Sequence, residues 1–343
     1  MALRRKEPDR VPRHAFLSPL LEEKLRGKLG REDLEEYFRY DIRRFVGYKP
    51  TRKKADFSRY PSAKPAPGFP GKDLTEWGER WHGGAIAPNT PMRDFVSAKD
   101  VEEYPFPDVG AEYRYKGLDE EVRKIKDAGF PAISRHEPGT FEQLWGLRGL
   151  DRTLVDLVME PEFLEPLLEK VSDLKAQIAA NYAKVGVDIL FTSDDLGAQD
   201  KMMMNPDTWR KHLKPCVAKI VRAARIVNPE ILIAFHSDGY IEPVISDLIE
   251  AGVDILQAVQ PECMDPAKLK DKYGSRISFW GTIGAQSTLA FGTPDDVRRE
   301  VRKRIETVGK GGGLLIAPAH TVEEPTPPEN VIAFFKAVDE FGK

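Results

Sequence analysis

From about residue 126 to the C-terminus, short apolar runs alternate with longer segments of mixed polarity. The runs lie at 131–134, 187–192, 231–235, 254–259, 277–280 and 314–317, a length and content that predict buried strands. Between them, apolar residues recur at helical spacing. The clearest stretch is 161–185, where Leu164, Leu167, Leu168, Val171, Leu174, Ile178 and Tyr182 mark one face. Further helices are predicted near 206–227, 243–251, 266–273, 294–308 and 328–341. Several open on a polar residue followed by proline, as in Asn205-Pro206, Asp265-Pro266 and Thr293-Pro294, which reads as an N-cap with proline in the first turn.

An internal echo supports a repeating unit. Gly186-Val187-Asp188-Ile189-Leu190 returns as Gly252-Val253-Asp254-Ile255-Leu256, each time after a helical stretch. A glycine that ends a helix and an apolar run that starts a strand make the same joint twice. Strands alternating with helices predict a parallel sheet. No glycine-rich dinucleotide fingerprint follows any strand, so a closed eightfold β/α barrel fits the length better than an open, doubly wound sheet. Residues 1–125 show no regular period beyond a short helical stretch near 31–45. They are expected to form an irregular extension wrapped around 126–343, the whole making one domain over 1–343. A proline- and lysine-rich loop at 49–72, followed by Trp77, Trp81 and His82-Gly83-Gly84, reads either as a solvated wrapper or as a lid or partner surface.

Composition narrows the class. The chain has 343 residues and a net charge of −3, without the basic excess of a duplex nucleic-acid binder. Its 27 prolines exceed the usual share of about 5%, which predicts numerous stiff loops. The longest apolar runs, such as 231–235, are far short of the about 20 residues that span a bilayer. The charged start, 1–10, lacks the apolar stretch of a signal peptide. Two cysteines, Cys216 and Cys263, imply no disulfide framework, and a cytoplasmic location is expected.

In a barrel of this kind the active site lies at the C-terminal ends of the strands. Each predicted strand ends in groups that carry chemistry. The first is followed by Arg135, His136 and Glu137, the second by Asp194 and Asp195, the third by His236, Ser237 and Asp238. Gln260, Glu262 and Cys263 follow the fourth, Gln286 lies beyond the fifth, and His320 beyond the last. His136, Glu137, Gln260, Glu262, Cys263 and Gln286 are thus candidates for substrate binding. If the strand continues through His236, then His236 and Asp238 share a face. With His320 they make two imidazoles and a carboxylate, a set suited to zinc or iron. The bland alternative is a histidine hydrogen-bonded to a carboxylate without metal. Asp194 and Asp195 are neighbours on an extended chain and face opposite ways, so one is expected in the pocket and the other in a loop anchor. The pocket carboxylate would act as a base or stabilise a cationic intermediate.

Several motifs together resemble the uroporphyrinogen decarboxylase superfamily. They are Lys6-Glu7-Pro8-Asp9-Arg10-Val11-Pro12, Asp194-Asp195-Leu196-Gly197 and Phe235-His236-Ser237-Asp238-Gly239. Further along come Phe279-Trp280-Gly281, Gly292-Thr293-Pro294, Ala317-Pro318-Ala319-His320 and Pro327-Pro328-Glu329-Asn330. The resemblance runs over nearly the whole chain and implies an α/β fold, a distorted (β/α)8 TIM barrel, in a homodimeric enzyme. Two chemistries belong to the superfamily, and the sequence departs from both. Uroporphyrinogen decarboxylases carry an arginine-rich N-terminal segment, which reads Arg13-His14-Ala15-Phe16 here. The corrinoid-linked methyltransferases bind zinc through a His-x-Cys pair and a late cysteine, and the matching positions are His236, Asp238 and His320. With oxygen and nitrogen ligands replacing thiolates, the zinc would be a stronger Lewis acid. The resemblance therefore implies a zinc-dependent methyltransferase that moves a methyl group from a methoxylated or methylated small molecule to a corrinoid protein. Cys263 or Glu262 would fill the fourth position at rest. Decarboxylation of a tetrapyrrole or other small carboxylate is the alternative, and a non-catalytic small-molecule-binding barrel is the third reading.

Overall fold

The computed structural model describes residues 1–69, 74–82 and 85–343, with His82 and Ala85 as backbone alone. Its main sheet contains β1 (Phe45–Val46), β2 (Ile133–Ser134), β3 (Glu137–Pro138), β4 (Ile189–Ser193), β5 (Leu232–His236), β6 (Ile255–Val259), β7 (Ser278–Ile283) and β8 (Leu314–Pro318). The order is β1-β2-β4-β5-β6-β7-β8, with β3 also paired to β4, and every pairing is parallel. Helices pack outside. The result is an α/β, TIM-barrel-like fold, and all six strands read from the apolar runs are present.

The repeated joint works as its sequence implies, and its aspartates explain the echo further. Gly186 and Gly252 end their helices with φ of 89° and 100°. Asp188 then accepts the N–H of Ala132 at 2.9 Å and pairs with Lys126. Asp254 accepts the N–H of Ile233 at 2.8 Å and pairs with Arg225. Each carboxylate ties the start of one strand to its neighbour and to the helix that precedes that neighbour. Asn205 and Asp265 accept N–H bonds at their helix starts, and Thr293 forms a capping box, each ahead of a proline.

Inside the curled sheet, alternate residues meet in a separate apolar core that includes Ile189 and Phe191, Leu315 and Ala317, Ile255 and Trp280. A larger core lies between strands and helices.

The N-terminal region is more than the expected wrapper. β1 is an integral strand of the sheet, and residues 12–17 run beside β8 through Arg13–Ile316 and Leu17–Val322 bridges. Asp41 N–H also bonds to the Arg13 carbonyl, so this segment joins the last strand to the approach to β1. The helix expected near 31–45 is reduced to Leu34–Tyr37, whereas Pro19–Leu29 forms a helix that lacked a periodic signal. Helix Thr140–Arg148 also escaped the pattern because it is buried on nearly all sides, which erases any polar face.

Candidate functional site

The C-terminal ends of β4 and β5 lie side by side, and their loops carry the central group. Asp194 N–H bonds to the His236 carbonyl at 3.1 Å, and Leu196 N–H bonds to Ser237 Oγ at 3.0 Å. These contacts bring Asp195, His236 and Asp238 together, with one ligand-capable atom of each within 4.8 Å of the others. His236 Nε2 is 3.4 Å from Asp195 Oδ1 and 3.9 Å from Asp238 Oδ1. Asp195 Oδ1 is held in place by the Asp238 N–H at 2.8 Å. On the far side of the ring, His236 Nδ1 donates to Gln257 Oε1. That bond assigns the Nδ1 proton and leaves Nε2 as the nitrogen aimed at the carboxylates. Burial alone would depress the His236 pKa, but Asp238, Asp195 and Glu142 outweigh it and hold it above its ordinary value.

Asp194 and Asp195 divide their roles as opposite-facing neighbours do. Asp194 is buried and accepts the Glu142 N–H at 2.9 Å, anchoring the start of helix Thr140–Arg148. Burial and the nearby Glu142 carboxylate hold its pKa well above the usual range. Asp195 opens to the site. Glu142 supports the end of β4 and its loop by accepting from Ser193 Oγ and from the Asp195 N–H.

The trio expected from spacing is rearranged. His236 and Asp238 converge as predicted, but the third member of the group is Asp195, not His320. His320 sits on a half-exposed turn and touches the group only through Asp238 Oδ2, at 3.5 Å. The chain leaves β8 at Pro318, so a residue two positions later is no longer directed by the strand. Among the described residues, neither Glu262 nor Cys263 joins this group. Glu262 accepts from Ser287 Oγ at 2.6 Å, and Cys263 Sγ lies 3.7 Å from Gln260 Oε1. Gln260 is itself buried and accepts the Gly239 N–H at 2.6 Å. Gln286 is exposed. Gln260, Glu262, Cys263 and Gln286 are not among the residues lining the cavity described next, whereas His136 and Glu137 line it.

That cavity, of about 1740 Å³, lies between the strand ends and the N-terminal region. His136, Glu137 and Asp195 face it from the barrel, and Lys53, Lys54 and Phe57 face it from the proline- and lysine-rich loop. The loop is thus a wall of the cavity, although its residues 70–72, like Gly83 and Gly84, lie outside the described residues. The His136 ring stands 5.1 Å from that of His236, and its enclosure together with this neighbour lowers its pKa. A second polar chain backs the wall. Lys175 Nζ donates to Gln143 Oε1 at 2.6 Å, Gln143 Nε2 donates to Glu79 Oε1, and Trp81 Nε1 donates to Glu79 Oε2 at 3.1 Å. All of Lys175, Gln143 and Glu79 are buried, which lowers the Lys175 pKa and raises that of Glu79 to about 6.

Gln257 and Glu142 were missed because nothing in their sequence positions distinguishes a support for a ligand from an ordinary strand or helix residue. Lys175 was hidden by its residue type, although it sits between Val171 and Ile178 on the apolar face of its helix.

The donor set suits a hard or borderline cation. Two carboxylates and an imidazole converge, and Asp238 Oδ1 is buried without a hydrogen-bond partner among the described residues. A carboxylate oxygen left so is costly unless a cation satisfies it. Among the described residues, no helix is long and apolar enough to cross a membrane.

Comparison with known proteins adds the ancestry. The sequence profile of the uroporphyrinogen decarboxylase (URO-D) family matches residues 94–341. A methylcobamide:CoM methyltransferase, MtaA, of Methanosarcina barkeri is 27% identical over 206 residues, 57% of this chain and 57% of that protein. The chain thus spans little more than half the length of this relative. A uroporphyrinogen decarboxylase of Actinobacillus succinogenes is 23% identical over 271 residues, 73% of this chain and 71% of the relative. Among solved structures, a methyltransferase from Methanosarcina mazei superposes with a TM-score of 0.69 at 19% identity, covering 99% of this chain and 96% of the other.

Proposed function

The chain belongs to the uroporphyrinogen decarboxylase family, and from that premise we propose that it is a zinc-dependent methyltransferase acting on a methoxylated or methylated small molecule. The acceptor in this reading is the corrinoid of a partner protein, and the enzyme is a cytoplasmic homodimer built from one domain over 1–343. The observation that carries it is the buried Asp238 Oδ1, which among the described residues has no hydrogen-bond partner, beside His236 and Asp195. These three residues would hold the zinc, and His320 would steady Asp238 from outside.

Zinc bound there would supply a Lewis acid for an oxygen of the substrate, with one tetrahedral position left by three protein ligands. The chain's own residues do the rest. Gln257 keeps the His236 Nδ1 proton in place, so Nε2 stays available. The Asp238 N–H fixes Asp195, and Glu142 holds the loop that carries it. In this reading the cavity would hold the donor with its methyl–oxygen bond toward Asp195, which lines it. A partner protein's corrinoid, reduced to cobalt(I), would supply the electron pair that accepts the methyl group, and the alkoxide left behind would take a proton from solvent.

Decarboxylation of a small carboxylate is the second reading, supported by the Asp195 carboxylate on the cavity wall. Uroporphyrinogen itself fits poorly. Arg13 is buried and donates to Asp339 at 2.7 Å and to the Phe335 carbonyl, while His14 is enclosed among Phe16, Tyr40, Phe45 and Trp280. That segment builds the barrel and offers no arginine to a substrate.

The test is incubation of the zinc-loaded protein with a corrinoid protein reduced to cobalt(I) and a panel of methoxylated compounds. Methyl transfer, seen as the spectrum of methylated corrinoid, is expected. Carbon dioxide release without corrinoid would establish the decarboxylase instead. Binding without either activity would leave a small-molecule-binding barrel.

A further inference from the structure

The cavity wall carries a guanidinium that the metal-binding group does not use. Arg135 lies between β2 and β3, which together act as one interrupted strand. Ile133 pairs with Ile189 and Glu137 with Thr192, so four steps on one side match three on the other. The extra residue makes a bulge, a device that re-aims side chains at the rim of a barrel. Arg135 and His136 occupy that bulge.

Its placement is fixed from several sides. The Arg135 N–H donates to the Val46 carbonyl at 2.6 Å. Its stem crosses Gly47, where a Cβ would come within 3.0 Å of Arg135 Cδ, so the absent side chain makes room for it. The guanidinium carbon stands 4.0 Å from the centre of the Tyr48 ring, a cation–π geometry. Nε donates to Glu137 Oε1 at 2.6 Å.

Glu137 is a dedicated support. It is buried, and it also receives Tyr182 Oη at 3.0 Å and Tyr48 Oη at 3.2 Å. Three donors satisfy its two oxygens. Arg135 in turn gives only Nε to a carboxylate. Among the described residues, Nη1 and Nη2 make no hydrogen bond to a carboxylate or a carbonyl, with the Tyr48 hydroxyl also in reach of the guanidinium, and the side chain, 45% exposed, lines the cavity. A guanidinium clamped on one edge and on one face presents its remaining donors in a fixed plane, the geometry that receives a carboxylate in two parallel bonds.

We infer that Arg135 is the anchor for a carboxylate of the substrate, so that the cavity accepts a carboxylate-bearing small molecule in preference to its neutral counterpart. The inference rests on the reading of this cavity as the small-molecule site and deepens it by naming the substrate class. His136, next in the chain, has its ring 5.1 Å from that of His236, which puts the anchor and the metal-binding group at one mouth. Lys53 and Lys54 line the same cavity from the loop, but Glu76, Glu142 and Asp195 line it too, so the preference for an anion rests on Arg135.

Calorimetric titration of the zinc-loaded protein with para-anisate, para-anisamide and inorganic phosphate tests this. The intact protein should bind para-anisate at least about tenfold more tightly than either of the others, the scale of one charge-assisted contact. Arg135→Gln should abolish the preference, and Arg135→Lys, which keeps the charge but not the fork, should retain part of it. Unchanged circular dichroism and zinc content show that the variants fold. No binding of para-anisate, no preference over the amide, a preference that survives Arg135→Gln, or phosphate binding as tight as para-anisate would each overturn the anchor. Methyl transfer is read separately. An Arg135-dependent preference without methyl transfer would sink the methyltransferase and leave the anchor standing. Methyl transfer that ignores Arg135→Gln would do the reverse.

Discussion

Gln257 accepts the Nδ1 proton of His236 across paired positions of two neighbouring strands. The bond fixes both the tautomer and the ring plane, which is how a residue that never touches a metal controls one that does. Gln257→Ala should therefore lower zinc affinity by roughly 10- to 100-fold while leaving the ligands in place. Competition with a chromogenic chelator measures it. Affinity equal to that of the unaltered protein would mean that packing alone orients the ring.

His236 and His320 offer the sharpest contrast between spacing and geometry. His236→Ala should drop zinc well below one equivalent. His320→Ala should keep it close to one equivalent, because His320 reaches the group only through Asp238 Oδ2. Elemental analysis of protein purified without a histidine tag decides. Equal loss in both variants would restore His320 as a ligand.

The difference has a general cause. Strand identity and strand-end position were legible because period and apolar content act locally, so His236, Asp238 and the opposed pair Asp194 and Asp195 were found. The Gly186 and Gly252 joints were legible for the same reason. What the sequence did not reveal lies between segments. Asp195 replaces His320 because two loops dock through Ser237 and Leu196, a contact with no local signature. Gln260 reads as a pocket residue and instead turns inward to bind Gly239. β1 is two residues long, and only pairing with β2 makes it a strand.

Gly197 and Gly239 let those docked loops touch backbone to backbone. A Cβ on Gly239 would stand 2.5 Å from the Ala198 carbonyl oxygen, and one on Gly197 would stand 2.5 Å from Tyr240 N. Gly239 also has φ of +78°. Gly239→Ala should cost about 3 kcal/mol, left-handed strain plus overpacking, and should weaken zinc binding. Gly311 has φ of +74° with nothing within 4 Å of its Cβ position, so Gly311→Ala isolates the strain at about 1 kcal/mol. Urea unfolding compares them. Similar losses would show that loop contact contributes nothing at Gly239.

Glu79 supplies a pH dependence from outside the metal-binding group. Burial lifts its pKa from 4.5 to about 6, against the lowering effect of its bonds from Trp81, Thr75 and Gln143 and of the Lys175 charge. The native state therefore holds this proton more tightly than the unfolded chain does. Stability from that preference is complete below pH 4.5 and is lost as the pH rises through about 6. The shift corresponds to about 2 kcal/mol. Glu79→Gln removes the titration while keeping the size of the side chain. The fall in unfolding free energy between pH 4.5 and pH 7.5 should thus be smaller in Glu79→Gln than in the unaltered protein, by about 2 kcal/mol. Urea unfolding at the two pH values measures the difference. The same fall in both proteins would show that the Lys175 charge and the hydrogen bonds to Glu79 already compensate for its burial.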